Sequence, residues 1–366
     1  MTAPSTSAGT MVREATPADL ADVVKLLSAR DNQPRDPQVV SDYLWGLDPK
    51  YARAWLAYVG DEPAGISMVY LRQMNWPADG NDTSPILAGY WAHLYVNPAF
   101  RKKMVYPQVV LAMLRGMKSA GIDVIFTVTR QPRVAEGNQR LGFTLVDKMA
   151  LRLRPLRPFR LVAKHKGALA LAPLCVPLDA LYGLAALRRT NPAVPIENVP
   201  LDSPQVDEVV ALLNSRPTAA VRQFWTSEQF RRRYHTTLDG TSYRIRAVRH
   251  GKRLAAVLVM TIAERGNQIR AGILLELAAE PAAAAAEIDA PLADAENFAH
   301  REGAEVMLSL EGSLSLEQLA GSFGKYLVNR SEVYHLLVYP KPMAQAPHLA
   351  AELAHWTFAF ADHDAF

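Results

Sequence analysis

The chain has 366 residues, of which 49% are apolar and 21% are charged, and its net charge is +4. This composition is typical of globular proteins and excludes disordered or collagen-like chains, while the length predicts two domains because it exceeds what one core usually organises. Cys175 is the only cysteine, which excludes an intramolecular disulfide and a thiolate-bound metal cluster and favours a reducing, cytoplasmic location.

The first predicted elements are a strand and a helix between Val12 and Leu27. Thr16 is a favourable N-cap, and Pro17 suits the first helical position because its missing N–H is not needed there. Residues 1–10 are small and polar, without the basic start and apolar run of a secretory signal. We expect them to form a disordered tail.

The spacing of apolar residues predicts the other elements of the first half. They are a helix from Val39 to Leu47, strands from Ala52 to Val59, from Ala64 to Arg72 and from Leu87 to Val96, a helix from Pro107 to Ala120, a strand from Asp123 to Thr129, a short helix, and a strand ending at Leu153. The resulting order is β-α-α-β-β-β-α-β-α-β.

A similar order returns in the second half of the chain. It comprises a strand and helix from Ile196 to Leu213, a helix from Ser227 to Tyr234, strands from Tyr243 to Val248, Leu254 to Ile262 and Ala271 to Leu277, a helix from Ala282 to Glu302, a strand from Glu305 to Leu310, a helix from Leu314 to Ser322, and a strand from Tyr334 to Tyr339. We predict a diverged internal duplication. Its domains span 11–158 and 195–345, with a helical connector at 159–194 and a C-terminal tail at 346–366.

The segment from Ala168 to Leu187 is apolar and about as long as a membrane-spanning helix. Pro173 and Pro177 interrupt a helix, and the carboxylate of Asp179 is costly at the centre of a bilayer. These residues argue against spanning. Two interpretations stay open, peripheral contact of 168–187 with a membrane surface and a buried connector between domains.

A strongly basic stretch covers residues 101–166, with fifteen Lys or Arg and three acidic residues. This excess predicts an anionic partner, although a solvated basic face has the same composition. No nucleic-acid-reading motif accompanies the stretch, so we expect no nucleic acid partner. The sequence also has no P-loop, dinucleotide-binding turn, nucleophile elbow or zinc-binding helix motif.

The strand ending in Val96-Asn97-Pro98, followed by Phe100-Arg101 and a helix, resembles the central motif of the GCN5-related N-acetyltransferase (GNAT) superfamily. Leu141-Gly142-Phe143 is similar to the later GF turn of that superfamily. The resemblance implies an α/β (α+β) protein of two GNAT-like domains, each a mixed, mainly antiparallel twisted sheet flanked by helices, joined by a helical connector. This tandem form, with a connector and a diverged second copy, is similar to that of bacterial GNAT-like proteins.

In that superfamily a loop of pattern R/Q-x-x-G-x-G/A offers the backbone amides of a helix start to the diphosphate of coenzyme A. The loop here runs from Arg101 to Pro107 (RKKMVYP) and lacks both glycines. Lys102, Lys103 and Arg101 are expected to compensate by pairing with phosphate. The resemblance thus implies acetyl-CoA or another acyl-CoA as co-substrate, and no metal. The candidate binding residues are Leu94, Tyr95, Val96, Arg101, Lys102, Lys103, Met104, Val105, Tyr106 and Asn138.

The resemblance also implies a proton acceptor on the fourth strand and a proton donor on the helix before the GF turn. His93 lies on the matching strand and is the candidate base, with a structural histidine as the alternative. Asn138 stands at the donor position and has no acidic proton, so Tyr106 is the candidate acid, with Tyr95 and Tyr90 as substitutes. For each of the three tyrosines, a packing role is the alternative. Backbone amides from Leu94 to Val96, beside the bulge usual in this fold, would polarise the thioester carbonyl.

The second half has no such loop, because Leu277 to Pro281 leads directly into an Ala-rich helix. We therefore expect it to play a structural or acceptor-binding part. Arg231, Arg232, Arg233 and Tyr234 share a helix that either faces the cleft or is a solvated basic surface. Asp362, His363 and Asp364 are too few for a metal site, and the aromatic run around them is expected to dock on a domain.

These observations predict an N-acyltransferase that moves an acyl group from acyl-CoA to the amine of a small metabolite, an amino sugar or an amino acid. Two alternatives stay open. In the first, an acyl carrier protein is the donor and docks on the basic stretch. In the second, the protein is a non-catalytic binding or scaffold protein that kept the fold. The acceptor pocket is expected between the Gln73 to Pro85 loop and helices of the second half.

Overall fold

The computed structural model describes residues 9–46, 52–75, 85–122, 124–187, 191, 193–215, 221–235, 242–310, 323–339 and 356–357. They form a mixed, mainly antiparallel sheet with helices on both faces. The predicted fold class is therefore confirmed.

The first half follows the predicted order of elements. They are β1 (Thr10–Glu14), α1 (Leu20–Asp31), α2 (Pro37–Trp45), β2 (Ala52–Val59), β3 (Glu62–Asn75), β4 (Pro85–Val96), α3 (Val105–Ser119), β5 (Val124–Thr129), α4 (Pro132–Arg140) and β6 (Thr144–Pro155). A 3-10 turn, Pro17–Asp19, precedes α1, with Thr16 at its N-cap. The backbone amide of Thr16 donates to Oδ2 of Asp19 at 2.8 Å, which satisfies the start of this turn.

The connector and the second half follow. The elements are α5 (Pro158–His165), a 3-10 segment (Leu169–Cys175), α6 (Val176–Ala186), β7 (Ile196–Asn198), α7 (Gln205–Asn214), β8 (Val221–Gln223), α8 (Ser227–His235), β9 (Tyr243–His250), β10 (Arg253–Arg265), β11 (Ile269–Ala279), α9 (Ala285–Arg301), β12 (Val306–Leu310), β13 (Leu327–Tyr339) and β14 (Trp356–Thr357). The helix predicted from Leu314 to Ser322 lies outside the described residues.

The two halves share one sheet by exchanging strands. The strand order is β1-β2-β3-β4-β5-β13-β6-β12-β11-β10-β9-β7, with β8 beside β3 and β14 beside β8. The last strand of the second half, β13, lies between β5 and β6, while β6 lies between β13 and β12. We did not predict this exchange from the sequence. The domain boundaries at 158 and 195 stay predictions, since the sheet is continuous across both halves.

The strands follow their chain order from either edge of the sheet toward the centre, as β1 to β5 in the first half and as β7, β9, β10, β11 and β12 in the second half. In the first half β4 is parallel to β5, and in the second half β11 is parallel to β12. A glycine in each parallel strand lets a helix approach closely. An added Cβ would lie 2.8 Å from Cε of Met117 in α3 at Gly89, and 2.8 Å from Cβ of Ala299 in α9 at Gly272.

Helices cover the sheet in two layers. A large core shared by both halves joins α1, α2, α7 and α8 to one face. On the other face, α3 and α4 cover the first half and α9 covers the second. Trp356, from the C-terminal aromatic run, is fully buried and lies 6.3 Å from the ring centre of Phe126.

Candidate active site

A β-bulge interrupts β4 near its C-terminal end. Ile66 of β3 is opposite Tyr95, but Met68 is opposite Ala92, so β4 has one more residue than β3 in this interval. His93 adopts a left-handed conformation with φ of 49°. Such a bulge turns neighbouring side chains to different faces. Here Leu94 packs with the core beneath α3, whereas His93 contacts residues of the opposite face.

Beyond the bulge, β4 continues without β5. The two parallel strands pair from Ala88 and Val124 to Trp91 and Thr127. The hydroxyl of Thr127 donates to the carbonyl oxygen of Trp91 at 2.8 Å at the end of this stretch. The amide of Asn97 donates to Ala64 of β3, so by alternation the amide of Val96 points to the β5 edge. It is a suitable donor to a carbonyl oxygen in the gap.

The loop after β4 presents cations and backbone amides together. Pro98–Lys103 forms a 3-10 turn, and Arg101, Lys102 and Lys103 are all exposed. Met104 has φ of 57°, a left-handed conformation that favours glycine. Its side chain is 64% exposed, so it does not fill the loop.

Helix α3 begins at Val105, before the predicted start at Pro107. Among the described residues no side chain caps this helix start, and its first turn contains no acid. Val105 is fully buried against β3, where an added Cβ at Gly65 would lie 3.0 Å from its Cγ1. The amides of the first turn and the positive end of the helix dipole are thus held at the end of β4, an arrangement that favours a phosphate.

His93, the candidate base, lies between α1 and β3. Nη1 of Arg30 contacts Nδ1 of His93, and the His93 ring meets the Tyr70 ring edge-on at 5.5 Å between centroids. A guanidinium only donates hydrogen bonds, so Nδ1 is the acceptor and the neutral ring has its hydrogen on Nε2. To take up a proton, the ring must first lose its contact with Arg30.

Tyr106 and Asn138 meet across the space between α3 and α4. The Tyr106 hydroxyl donates to Oδ1 of Asn138 at 2.5 Å, and Asn138 is 1% exposed. Burial raises the pKa of Tyr106 to about 12. Gly137 leaves room for the phenol, since a Cβ there would lie 3.2 Å from the hydroxyl oxygen.

The two substitute tyrosines lie in different environments. Tyr90 is 1% exposed and packs between Tyr70 and Phe126, in the core. Tyr95 is partly exposed and follows the bulge on β4. Of the two, Tyr95 alone is near the surface.

A cavity of about 60 Å³ lies where the two halves meet. Its lining residues come from α2, β3, β8 and α8 and the residues beside them, and they are Tyr43, Tyr70, Leu71, Arg72, Gln223, Trp225, Gln229, Arg232 and Arg233. Arg72 donates to Oε1 of Gln223 at 2.7 Å, which links β3 to β8. Because Tyr70 contacts both His93 and the cavity, the cavity is one aromatic ring away from the bulge.

The four residues predicted on the α8 helix divide into two pairs. Arg232 and Arg233 line the cavity, and Arg232 also donates to the carbonyl oxygens of Asp42 and Tyr43 at 3.3 and 3.2 Å. Arg231 instead donates to the carbonyl oxygen of Leu201 at 3.0 Å, within its own half. Tyr234 is buried among aromatic rings.

The corresponding helix start in the second half is already occupied. Oε2 of Glu287, in the first turn of α9, accepts a hydrogen bond from the amide of Ala284 at 2.8 Å. His250 contacts the other oxygen of Glu287 at 2.9 Å, and both contacts lower the pKa of this carboxyl group, the backbone bond most. A carboxylate therefore already lies at this helix start and satisfies the amide of Ala284, and its charge disfavours a phosphate there.

Sequence reasoning missed Arg30, Tyr70 and the cavity residues of the first half. Arg30 is in the last turn of α1, next to its ion-pair partner Asp31, and nothing local in the sequence links it to His93. Within the described part of the chain, no group of three His, Cys, Asp or Glu side chains is arranged to hold a metal ion. Asp362, His363 and Asp364 lie outside it.

Comparison with solved structures shows that the chain has the GNAT fold. It aligns with Saccharomyces cerevisiae N-myristoyltransferase with bound myristoyl-CoA over 92% of this chain and 84% of that chain, at 12% identity and a TM-score of 0.62. It aligns with a GCN5-related N-acetyltransferase from Anabaena variabilis over 90% of this chain and 72% of that chain, at 10% identity and a TM-score of 0.59. It aligns with a GCN5-related N-acetyltransferase from Kribbella flavida over 92% of this chain and 72% of that chain, at 11% identity and a TM-score of 0.56. No family model and no curated protein matches the chain in sequence.

Proposed function

We propose that this protein is an N-acyltransferase that moves an acyl group from acyl-CoA to the amine of a small metabolite, an amino sugar or an amino acid. The main support is the bulged, splayed end of β4, which leads through three exposed cations into the uncapped start of α3. The fold shared with a structure that contains myristoyl-CoA supports a CoA thioester as donor.

In this proposal the diphosphate of acetyl-CoA or another acyl-CoA lies at the first turn of α3. The amides of Val105 and Tyr106 would donate to it, and Arg101, Lys102 and Lys103 would pair with its charge. One phosphate at a helix start gains about 1 kcal/mol from the helix dipole alone. The second half is proposed not to bind a donor, because Glu287 occupies the equivalent helix start.

The acceptor would enter from the face of the sheet opposite α3, through the cavity at the junction of the halves. Tyr70 lines this cavity and its ring contacts His93, so an acceptor placed there would lie one aromatic ring away from the bulge. Three arginines and no carboxylate are among the described lining residues. Guanidinium groups favour an acceptor with a carboxylate, such as an amino acid, over a neutral amine.

The reaction joins the amine nitrogen to the carbonyl carbon while the bond from that carbon to sulfur breaks. The amide of Val96 is proposed to polarise the carbonyl oxygen, and positioning of the two reactants supplies a large part of the rate. The amine loses a proton, for which His93 is the proposed acceptor once Arg30 moves away. The departing thiolate gains a proton, for which Tyr106 is the proposed donor once its bond to Asn138 opens.

An acyl-transfer assay tests the proposal. The protein is incubated with acetyl-CoA or a longer acyl-CoA and with matched amines, for example tyrosine and tyramine, which differ only by the carboxylate. Release of free thiol is followed by absorbance, and the amide product by mass spectrometry. We expect amine-dependent thiol release that is faster with the carboxylated amine. Absence of amine-dependent release with amino acids and amino sugars would contradict the proposal.

An acyl carrier protein is the alternative donor, favoured by the exposure of Arg101, Lys102 and Lys103. Activity with an acidic carrier protein would fall steeply as ionic strength rises, because charges on both surfaces are screened over about 8 to 10 Å. Activity with acyl-CoA would fall less. Comparing the two donors over a salt series therefore distinguishes them.

A further inference from the structure

The connector turns an apolar surface outward. Every exposed residue from Ala170 to Ala185 is Ala, Leu, Pro or Val. Among the described residues, fourteen large apolar side chains are exposed, and eight of them belong to this part of the chain. These eight, which we term the connector surface, are Phe159, Val162, Leu171, Leu174, Val176, Leu178, Leu181 and Leu184. Such a concentration is unusual for a surface that faces only water.

The acidic residue of the connector does not belong to this surface. Asp179 is 2% exposed and accepts hydrogen bonds from the backbone amides of Phe159 and Arg160 at 3.0 and 3.2 Å. Nε of Arg160 donates to it at 3.0 Å. These bonds fasten α5 to α6 and neutralise the carboxylate inside. The connector is therefore only partly buried. One side, with Asp179, packs inside the protein, and the other side is exposed.

Positive charge brackets the connector surface in the sequence. Residues 157–189 contain six Lys or Arg and one acid, Asp179. The basic residues all lie at the two ends, within 157–166 and at 188–189, and none lies between them. In the described part of this stretch Lys166 is exposed, whereas Arg160 pairs with Asp179 and Lys164 with Glu305, each at 3.0 Å. An apolar centre with cationic ends is typical of segments that lie in the interface of an anionic membrane.

We propose that the connector surface lies on the anionic lipid surface of a membrane, with its leucines among the upper acyl chains and Lys166 at the headgroups. No helix in the described parts of the chain is long and apolar enough to cross a bilayer. Helix α6 has 11 residues, about 16 Å, against the roughly 30 Å of a hydrocarbon core. A second copy of the chain fits less well, because it has the same excess of positive charge in residues 157–189.

Vesicle sedimentation with the full chain tests this inference. The probes are phosphatidylcholine vesicles with and without phosphatidylserine. Leu174→Glu/Leu184→Glu changes the two most exposed leucines of the surface, at 71% and 82%, so neither change disturbs the core. Leu327→Glu, at 60% exposure on β13, is the matched control outside the surface. Sedimentation velocity without lipid reports oligomeric state for each variant.

We expect the wild type and Leu327→Glu to sediment with the phosphatidylserine vesicles, and the double variant to bind at least about tenfold more weakly. Added salt should weaken wild-type binding by screening the cationic ends. The inference is overturned if the wild type binds neither vesicle, or if the double variant binds equally well. It is also overturned if the wild type is a lipid-independent dimer that the double variant dissociates, which would assign the surface to a second copy. None of these outcomes depends on acyl transfer.

Discussion

The hydroxyl of Tyr106 donates a hydrogen bond to Oδ1 of Asn138 at 2.5 Å. Tyr106 stands where the GNAT loop pattern has a small residue, and Asn138 stands where the superfamily often has a tyrosine. The hydrogen bond thus joins two residues at which the sequence departs from the GNAT pattern, one on α3 and one on α4. The Tyr106 hydroxyl therefore lies between the two helices, beside Asn138 and Gly137.

Removal of this hydroxyl is expected to destabilise the protein. Tyr106→Phe leaves Oδ1 of the buried Asn138 without its donor, which should lower the free energy of unfolding by about 1 to 3 kcal/mol. Urea unfolding followed by tryptophan fluorescence measures the change. Tyr95→Phe, on the partly exposed end of β4, is the control and should change stability little. An unchanged midpoint for Tyr106→Phe would show that the bond contributes nothing.

The contact between Arg30 and His93 predicts opposite kinetic effects of two substitutions. If His93 takes the amine proton, His93→Ala should lower kcat by about 100-fold or more, as is usual for loss of a general base. Arg30→Ala frees Nδ1 and should leave kcat unchanged or raise it. Steady-state kinetics with saturating acyl-CoA measures both. A His93→Ala variant with wild-type kcat would make His93 a structural residue.

Adjacent arginines on α8 give a matched test of the acceptor cavity. Arg232 lines the cavity. In the described part of the chain, Arg231 instead donates hydrogen bonds to Leu201, Ser203 and Asp207 of its own half. Arg232→Ala should raise KM for a carboxylated amine by about tenfold, with little change in KM for acyl-CoA, because one charge-assisted contact is lost. Arg231→Ala should leave both constants unchanged. Equal effects of the two substitutions would remove the cavity from the acceptor site.

The ion pair between Arg13 and Asp19 predicts a pH-dependent contribution to stability. Nη2 of Arg13 lies 2.5 Å from Oδ1 of Asp19, and this bond, with the Thr16 contacts, holds the pKa of Asp19 well below its usual value. The folded state therefore favours the ionised form, whose stabilisation is present above the unfolded pKa of about 4 and is lost as pH falls toward the folded pKa.

Asp19→Asn should cost about 1 to 2 kcal/mol of unfolding free energy at pH 7, a reduced value because Arg13 is partly exposed. The difference from wild type should shrink steadily below pH about 4. Urea unfolding at a series of pH values measures it. A difference that is constant over that range would contradict the role of the ionised carboxylate.

Local signals in the sequence predicted the elements well, because caps, prolines and apolar spacing act within a few residues. Thr16 and Pro17 marked the start that precedes α1, and the strand ending at Val96 ends there in the structure. The start of α3 was placed too late. Met104 adopts a left-handed conformation, which ends the 3-10 turn and starts the helix at Val105, and a methionine gives no signal for it.

Long-range pairings could not be predicted in this way. An apolar strand such as β13 can pair with strands of either half, so its insertion between β5 and β6 leaves no mark in its own residues. Arg30 and His93 are separated by 63 positions and meet only because α1 packs over β4. The cavity depends on β8, a three-residue strand that the sequence did not indicate. The site residues taken from the GNAT resemblance stay predictions until binding is measured.

Calorimetric titration with coenzyme A and acetyl-CoA tests the central claim, that the start of α3 binds the diphosphate of the donor. Lys102→Ala/Lys103→Ala removes two exposed cations of the loop, and Lys118→Ala, in the last turn of the same helix, is the control. The wild type and Lys118→Ala should bind both ligands, and the double variant should bind about tenfold or more weakly. Absence of binding by the wild type, or equal binding by the double variant, would contradict the claim.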